Sequence, residues 1–501
     1  MSDTITRRHF ICGVAAGCAA LTLPQLAHAA DKPGAKRPNI LLITADDLNC
    51  DSVGVFGSKV PGITPNIDKL AGEGVRFTNA HVTAAVCQPS RSVLMTGRYP
   101  YRNGARGFEP IDPSVTTLQE RLRAAGYLNG IMGKNSHLAP RKKFCWDYYV
   151  TPDLLLEGRG PKMYHGCARH FFEQAKSAGK PFFLMANSQD PHRPFAGSEA
   201  EMQKWGEHLP YSRKFTPAEA QVNGFLPDIP EVREELAQYF TSAHRCDETV
   251  GEVLRALSET GNRDNTLVMF LSDNGMSFPY SKTNCYLNST KTPWIARWPG
   301  QIKPGKVDSE HFVSGIDYMA TIIEAAGLEA VSGMDGKSFL PLLTGGEQTG
   351  REKVFTVFEE TVAKIQYPMR CVQDAKYGYI YNAWSDGKTV FKNEASGSPT
   401  FRAMQASTDP KIAERVKFFQ YRAAEELYDI ESDPSALKNL ANDPKHKTTL
   451  EQMRKELVEN MTSTKDHILD AYKAYLSTGK QTWQPEVRKR FPGGRKGKAE
   501  E

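Results

Sequence analysis

The sequence predicts an α/β fold, with a large, mostly parallel central sheet flanked by helices and a smaller C-terminal subdomain carrying a short antiparallel sheet. Two observations carry this expectation. Short apolar runs at residues 40–43, 181–185 and 266–271 have the pattern of strands buried on both faces. Helical stretches lie between them, and strand–helix–strand order favours parallel pairing with helices over the sheet. Ligands bind such sheets outside the carboxyl ends of the strands, and each run ends in polar residues.

The elements follow in order. The first run, bounded by Pro38, delivers Asp46 and Asp47. A helix over 65–71 opens on Pro65 and closes on Gly72, and another over 116–125 closes on Gly126. The second run leads to Asp190-Pro191-His192, a helix over 232–257 shows an apolar stripe, and the third run leads to Asp273-Asn274. After Gly345-Gly346 the texture changes to β-like pieces at 354–358 and 377–381, then a charged helix at 447–459. This divides the chain into a leader (1–29), a large domain (37–346), a C-terminal subdomain (347–480) and a basic, disordered tail (481–501).

At 501 residues the chain exceeds what one hydrophobic core supports. With 40% hydrophobic and 24% charged residues, disorder, fibrous repeats and a membrane channel are excluded. The net charge of +5 is partly concentrated in the tail at Arg488, Lys489, Arg490, Arg495, Lys496 and Lys498, and no nucleic-acid reading motif accompanies it. The N-terminus carries Arg7-Arg8, an apolar stretch from Ile11 to Leu26 and a small-residue cleavage site at Ala27-His28-Ala29. That reads as an export signal for the twin-arginine translocase, giving a periplasmic or secreted protein that begins near Ala30. Gly13, Gly17 and Pro24 interrupt the stretch, which is shorter than the roughly 20 residues of a membrane span, so no stable membrane insertion is expected. Beyond the leader remain Cys50, Cys87, Cys145, Cys167, Cys246, Cys285 and Cys371, an odd set with no disulfide framework.

The segment Cys87-Gln88-Pro89-Ser90-Arg91, continuing to Thr96-Gly97-Arg98, resembles the C-x-P-S-R signature of type I sulfatases. A lone cysteine would ordinarily be a buried structural thiol; the flanking motif argues otherwise. The resemblance implies an alkaline-phosphatase-like sandwich, and a formylglycine-generating maturation enzyme that converts Cys87 into formylglycine (3-oxoalanine), the catalytic nucleophile. A helix opening just after the cysteine would favour an anion, and Arg91 would add a charged hydrogen bond. Asp46, Asp47, Asp273 and Asn274 offer only oxygen ligands, the set a hard cation such as Ca²⁺ or Mg²⁺ prefers, although a bare Asp-Asp pair also serves as a turn cap. The resemblance puts one Ca²⁺ on these four residues and residue 87. Lys134 and His137 resemble the family's Lys-x-His element with one residue more between them. His192 matches the second active-site histidine, and Lys282 falls where the family places a basic sulfate contact.

Within the family the chain is most similar to the sulfamidases, over about residues 38–444. Phe278-Pro279, Thr283-Asn284, Tyr367-Pro368-Met369-Arg370 and Ser398-Pro399-Thr400-Phe401 carry that likeness. It departs at Glu359, Glu360 and Thr361, where such enzymes tend to carry histidine. Asp247, Glu359, Glu360 and Arg370 are the candidate substrate contacts, Asp247 reading equally as a solvated helix carboxylate. The resemblance thus implies hydrolysis of a sulfated saccharide, with N-sulfated glucosamine as the leading substrate. An O-sulfatase for another glycan, a phosphatase on the same fold and a non-catalytic sulfated-glycan-binding protein stay open as alternatives. The last would be expected to lack the nucleophile or a metal ligand, and none is missing. Oligomeric state, a homodimer included, is not legible.

Overall fold

The computed structural model describes residues 37–487. An eight-stranded sheet forms its centre: β1 (Asn39–Ala45), β2 (Val75–Phe77), β3 (Leu128–Met132), β4 (Tyr148–Val150), β5 (Phe182–Asn187), β6 (Thr266–Ser272), β7 (Trp294–Arg297) and β8 (Lys306–Asp308). The order across it is β4-β3-β5-β1-β6-β7-β2-β8. All pairs are parallel except the two made by β7.

The central strands are buried along their whole length and mostly apolar because both faces are covered. In β1, Leu41, Ile43 and Ala45 point into one core and Ile40 and Leu42 into the other, as the period-2 alternation of a strand requires. The first core lies under α1 (Pro65–Gly72), α4 (Pro161–Ser177) and α5 (Pro230–Glu259), the last two packed along each other. The second lies under α2 (Cys87–Thr96) and α3 (Leu118–Ala124). Register then fixes the site: Thr44 pairs with Asn187 and with Leu271, and Ala45 with Ser272. The ends of β1, β5 and β6 are therefore level, and the chain leaving each carries the polar residues read from the sequence.

A four-stranded antiparallel sheet follows, β9 (Val354–Glu360), β10 (Gln366–Gln373), β11 (Tyr377–Asn382) and β12 (Glu425–Asp429), in chain order. Helix α6 (Lys447–Ser463) lays Leu450, Met453, Leu457 and Met461 against Val372, Tyr379, Tyr381 and Leu427. The apolar stripe at helical spacing explains why a charge-rich segment still packs.

Each strand and helix expected from the sequence is observed, most of them lengthened by a few residues; the helix expected over 116–125 is shorter, Leu118–Ala124, and the run at 181–185 forms the strand Phe182–Asn187. The tail boundary needs correction: residues 481–487 are held to the body. Gln481 donates to the Asn382 carbonyl (2.8 Å), Gln366 to the Glu486 carbonyl (2.7 Å), and Glu486 pairs with Arg106 (2.8 Å). Polar composition there reflects hydrogen bonding and not disorder. The leader and residues 488–501 lie outside the described residues. No helix among the described residues is long and apolar enough to cross a membrane. The seven cysteines from Cys50 to Cys371 are all free thiols.

Leu457 is 1% exposed in this third core. Leu457→Ala should cost about 2–5 kcal/mol through lost transfer energy and the cavity left behind, read as a lower urea midpoint at unchanged slope.

Candidate active site

Cys87 opens α2, a helix in which every residue is buried. Its Sγ lies 3.4 Å from Asp46 Oδ1 and 4.0 Å from Asp47 Oδ1. One turn further on, the Arg91 side chain is fully buried. Its Nε and Nη2 donate to Asp273 Oδ2 at 3.1 and 2.8 Å, and Nη1 donates to Thr44 Oγ1 at 2.8 Å and Asn187 Oδ1 at 2.5 Å. The fork shape of guanidinium lets one side chain tie α2 to the ends of β1, β5 and β6.

The turn after β1 passes through Asp47 at φ 69°, a left-handed conformation that Asp tolerates better than most residues. The Asp47 N–H donates to Asp273 Oδ1 (3.2 Å), and Asn274 Nδ2 donates to Asp47 Oδ1 (2.7 Å). Lys134, also left-handed at φ 51°, pairs with Asp46 Oδ2. Lys282 sits between Asp47 Oδ1 (2.8 Å) and Glu394 Oε1 (2.7 Å). His192 Nδ1 lies 2.6 Å from the Arg193 carbonyl, which only accepts, so Nδ1 carries the proton and Nε2 faces Asp47 Oδ2 at 4.0 Å.

These groups are desolvated and crowd charges of both signs together. Burial pushes the Asp47 carboxyl up to about 7 despite Lys282. Burial brings the Lys134 ammonium down to about 7, with Asp273 pulling the other way. His192 falls well below the usual imidazole value through burial, then Lys282 and Lys134. Burial also opposes the Lys282 charge, but Asp47, Cys87 and Glu394 outweigh it and hold this ammonium well above its ordinary value. Burial raises the Cys87 thiol well above the usual range, against the pull of Lys282.

A divalent cation fits this arrangement. Asp46, Asp47 and Asp273 each present a carboxylate oxygen within 4.8 Å of the others, all three buried. Asn274 Oδ1 is buried without a hydrogen-bond partner among the described residues. An all-oxygen donor set with excess negative charge suits Ca²⁺ or Mg²⁺ over softer metals. The Cys87 thiol stands at the position a formylglycine side chain would take, beside the same carboxylates.

The structure thus unites Cys87, Arg91, Lys134, His192, Lys282, Asp46, Asp47, Asp273 and Asn274. His137 has its ring edge-on to Phe108 (5.8 Å), on the loop whose Glu109 carbonyl accepts from Gln88 (2.6 Å). Three of the four candidate substrate contacts need correction. Asp247 is buried and accepts from Asn66 N (3.1 Å), Asn66 Nδ2 (2.7 Å) and Ile67 N (2.8 Å). It is neither solvated nor a substrate contact; it satisfies the orphan donors that open α1. Arg370 is spent on Glu359 (2.6 Å) and Asp466 (2.5 and 2.9 Å), with His467 3.2 Å from both Glu359 oxygens. Burial opposes the Glu359 charge, but Arg370 and His467 hold it well below the usual carboxylate range. Glu359 and Arg370 therefore form a closed internal network. Glu360 packs on Gly107, where an added Cβ would collide with its carboxylate.

Sequence reasoning missed Thr44, Asn187 and Glu394. Thr44, next to last in β1, and Asn187, the last residue of β5, are polar residues that end apolar runs, a usable signal. Glu394 follows Asn393 in a short turn and has no motif of its own; Asn393 is fastened to Thr283 Oγ1 (2.6 Å).

A family model described as Sulfatase matches residues 38–328, and one described as "N-sulphoglucosamine sulphohydrolase, C-terminal" matches residues 277–389. The human N-sulphoglucosamine sulphohydrolase is 30% identical, with 91% of this chain and 95% of that protein covered. An ulvan-active sulfatase of Formosa agariphila is also 30% identical, over 86% of this chain and 81% of its own length. Among solved structures, a complex with the substrate D-glucosamine-2-N,6-O-disulfate aligns at TM-score 0.66 and 18% identity, covering 87% of this chain and 99% of the other. The phosphonate monoester hydrolase of Agrobacterium radiobacter aligns at TM-score 0.62 and 20% identity, covering 85% and 96%. At such identities the last two establish the alkaline-phosphatase-like fold alone.

If Asp247 only anchors α1, Asp247→Ala should lower stability by about 1–3 kcal/mol by stranding buried N–H donors. Catalytic efficiency of the folded variant should stay within about twofold of the parent, whereas a substrate contact would lose about 1 kcal/mol or more of transition-state binding.

Proposed function

The chain belongs to the sulfatase family, and on that footing we propose that it is an exported hydrolase that removes sulfate from a sulfated saccharide, foremost the N-sulfate of glucosamine. The observation that carries this reading is Cys87, in its signature at the start of α2, set 3.4 Å from Asp46 within a buried cluster of three aspartates and two lysines. The choice of N-sulfate is supported by the human relative, matched over nearly its whole length, and by the C-terminal family model.

When present, formylglycine at position 87 supplies a hydrated aldehyde as nucleophile, and a divalent cation, proposed to be Ca²⁺ on Asp46, Asp47, Asp273, Asn274 and residue 87, supplies Lewis acidity toward the sulfate. The remaining chemistry belongs to the chain's own side chains. Lys134 and Lys282 oppose the charge of the sulfate oxygens in a site shielded from water, where such preorganised charges act most strongly. Arg91 fixes residue 87 and Asp273 relative to each other. His192, its Nδ1 pinned to a carbonyl, presents Nε2 for proton exchange with the leaving atom. His137 is assigned the second proton exchange. The proposal extends to a twin-arginine export route, a periplasmic or secreted location and maturation by a formylglycine-generating enzyme.

A second reading, an O-sulfatase acting on another sulfated glycan, is favoured by the equal identity to the ulvan-active sulfatase. It is also favoured by the use of Glu359 and Arg370 inside the fold, away from substrate.

Two measurements test the proposal. The mass of the tryptic peptide containing residue 87 should report formylglycine, and sulfate should be released from N-sulfoglucosamine faster than from 6-O-sulfated N-acetylglucosamine. Release from the O-sulfated sugar alone would replace the first reading with the second, and an unmodified, inactive Cys87 from a maturation-competent host would remove both. Chelation should abolish sulfate release, with Ca²⁺ restoring more of it than Mg²⁺.

A further inference from the structure

Glu394 stands at the open side of the buried cluster. Its side chain is 31% exposed, against 2% for Lys282 and 0% for Asp47. Oε1 is shared by Lys282 (2.7 Å) and Ser277 Oγ. Glu394, Asp47 and His192 each offer a ligand atom within 4.8 Å of the other two. The carboxylate therefore faces the space next to His192 and is held there through Asn393 and Thr283.

A carboxylate bordering a sulfate site is a liability unless the reaction rewards it, because it repels the anionic substrate. Its contacts with Lys282 and Ser277 both run through Oε1. Hydrolysis of an N-sulfate supplies the reward. In R–NH–SO₃⁻ + H₂O → R–NH₃⁺ + SO₄²⁻ the S–N bond breaks, its electron pair stays on nitrogen, and nitrogen gains two protons and becomes cationic. In R–O–SO₃⁻ + H₂O → R–OH + SO₄²⁻ + H⁺ the leaving oxygen ends neutral. An anion beside the leaving atom lowers the energy of the first path and gives nothing to the second.

We propose that Glu394 is a specificity-determining residue that favours nitrogen over oxygen as the leaving atom, by facing the amine as it becomes an ammonium. The proposal rests on the N-sulfoglucosamine reading and identifies the group that enforces it. It also accounts for the absence of histidine at Glu359–Thr361, since selection then operates from a different part of the chain.

The test compares the full-length matured enzyme with Glu394→Gln, which keeps shape and a hydrogen bond to Lys282 but loses the charge. The probes are N-sulfoglucosamine, 4-nitrophenyl sulfate, and glucosamine as a product inhibitor. In Glu394→Gln, kcat/KM for N-sulfoglucosamine should fall about tenfold further than for the aryl sulfate, and the glucosamine inhibition constant should rise about tenfold, with N-acetylglucosamine as the uncharged control. Glu394→Asp, which keeps the charge, should recover part of that selectivity. Equal losses on both substrates with an unchanged glucosamine constant would reduce Glu394 to a positioning residue for Lys282 and overturn the proposal while leaving the sulfamidase reading intact. If the parent enzyme hydrolyses the aryl sulfate but not N-sulfoglucosamine, the sulfamidase reading fails first and the proposal falls with it.

Discussion

The arrangement of the site depends on one buried cation. Arg91 has no contact with solvent and reaches Asp273, Thr44 and Asn187 at the ends of three adjacent strands. Desolvating a guanidinium costs several kcal/mol, which only well-formed hydrogen bonds offset. Here every contact comes from a residue that strand register has already set level. Because Arg91 lies one helical turn from Cys87, the same interaction fixes where the nucleophile's helix begins relative to the carboxylates. A lysine could match the charge but not the simultaneous contacts.

Around that cation the protein buries a density of charge that folding alone would not favour. Asp46, Asp47 and Asp273 are buried together with only Lys134 and Lys282 added to Arg91. Burial raises Asp47 and lowers Lys134 toward the same range, so both groups are poised to exchange a charge state for a ligand's charge. Backbone strain coincides with this: Asp47, Lys134 and Thr283 all have φ between 51° and 69°. Left-handed non-glycine residues cost of order 1–3 kcal/mol each and persist where the surroundings over-determine them. Strain, densely buried charge and the unsatisfied Asn274 oxygen all describe a site built for a divalent cation and an anionic substrate.

Much of this was legible in the sequence because the strongest signals are local. Apolar runs of fixed length ending in Asp46-Asp47 and Asp273-Asn274 announce central strands, and parallel-sheet geometry then brings their ends together. The cysteine signature survives reading for the same reason, since its residues lie within one helix. Asp247, Glu359 and Arg370 misled because a buried polar side chain looks the same in sequence whether it binds substrate or satisfies a helix end or an ion-pair network. Only the partners decide, and Asn66, Asp466 and His467 are far away in the chain. Glu394 was silent for the complementary reason: one carboxylate in a turn has no periodicity or spacing to betray it.

That difference in legibility follows a division within the site. The nucleophile, the cation ligands and Arg91 all come from strand ends and α2, features of the central sheet. The fold aligns over 85% of this chain with a phosphonate monoester hydrolase, so this half does not by itself dictate the group transferred. Glu394 arrives from beyond β11 and reaches the cluster only because Asn393 is tied to Thr283, next to Lys282. Discrimination between leaving groups needs a group on the far side of the sulfur from the nucleophile, which the strand ends cannot provide. It must come from chain laid over their open end. The antiparallel sheet, held down by its own core under α6, is what brings that chain there, so its stability matters for selectivity as well as for folding.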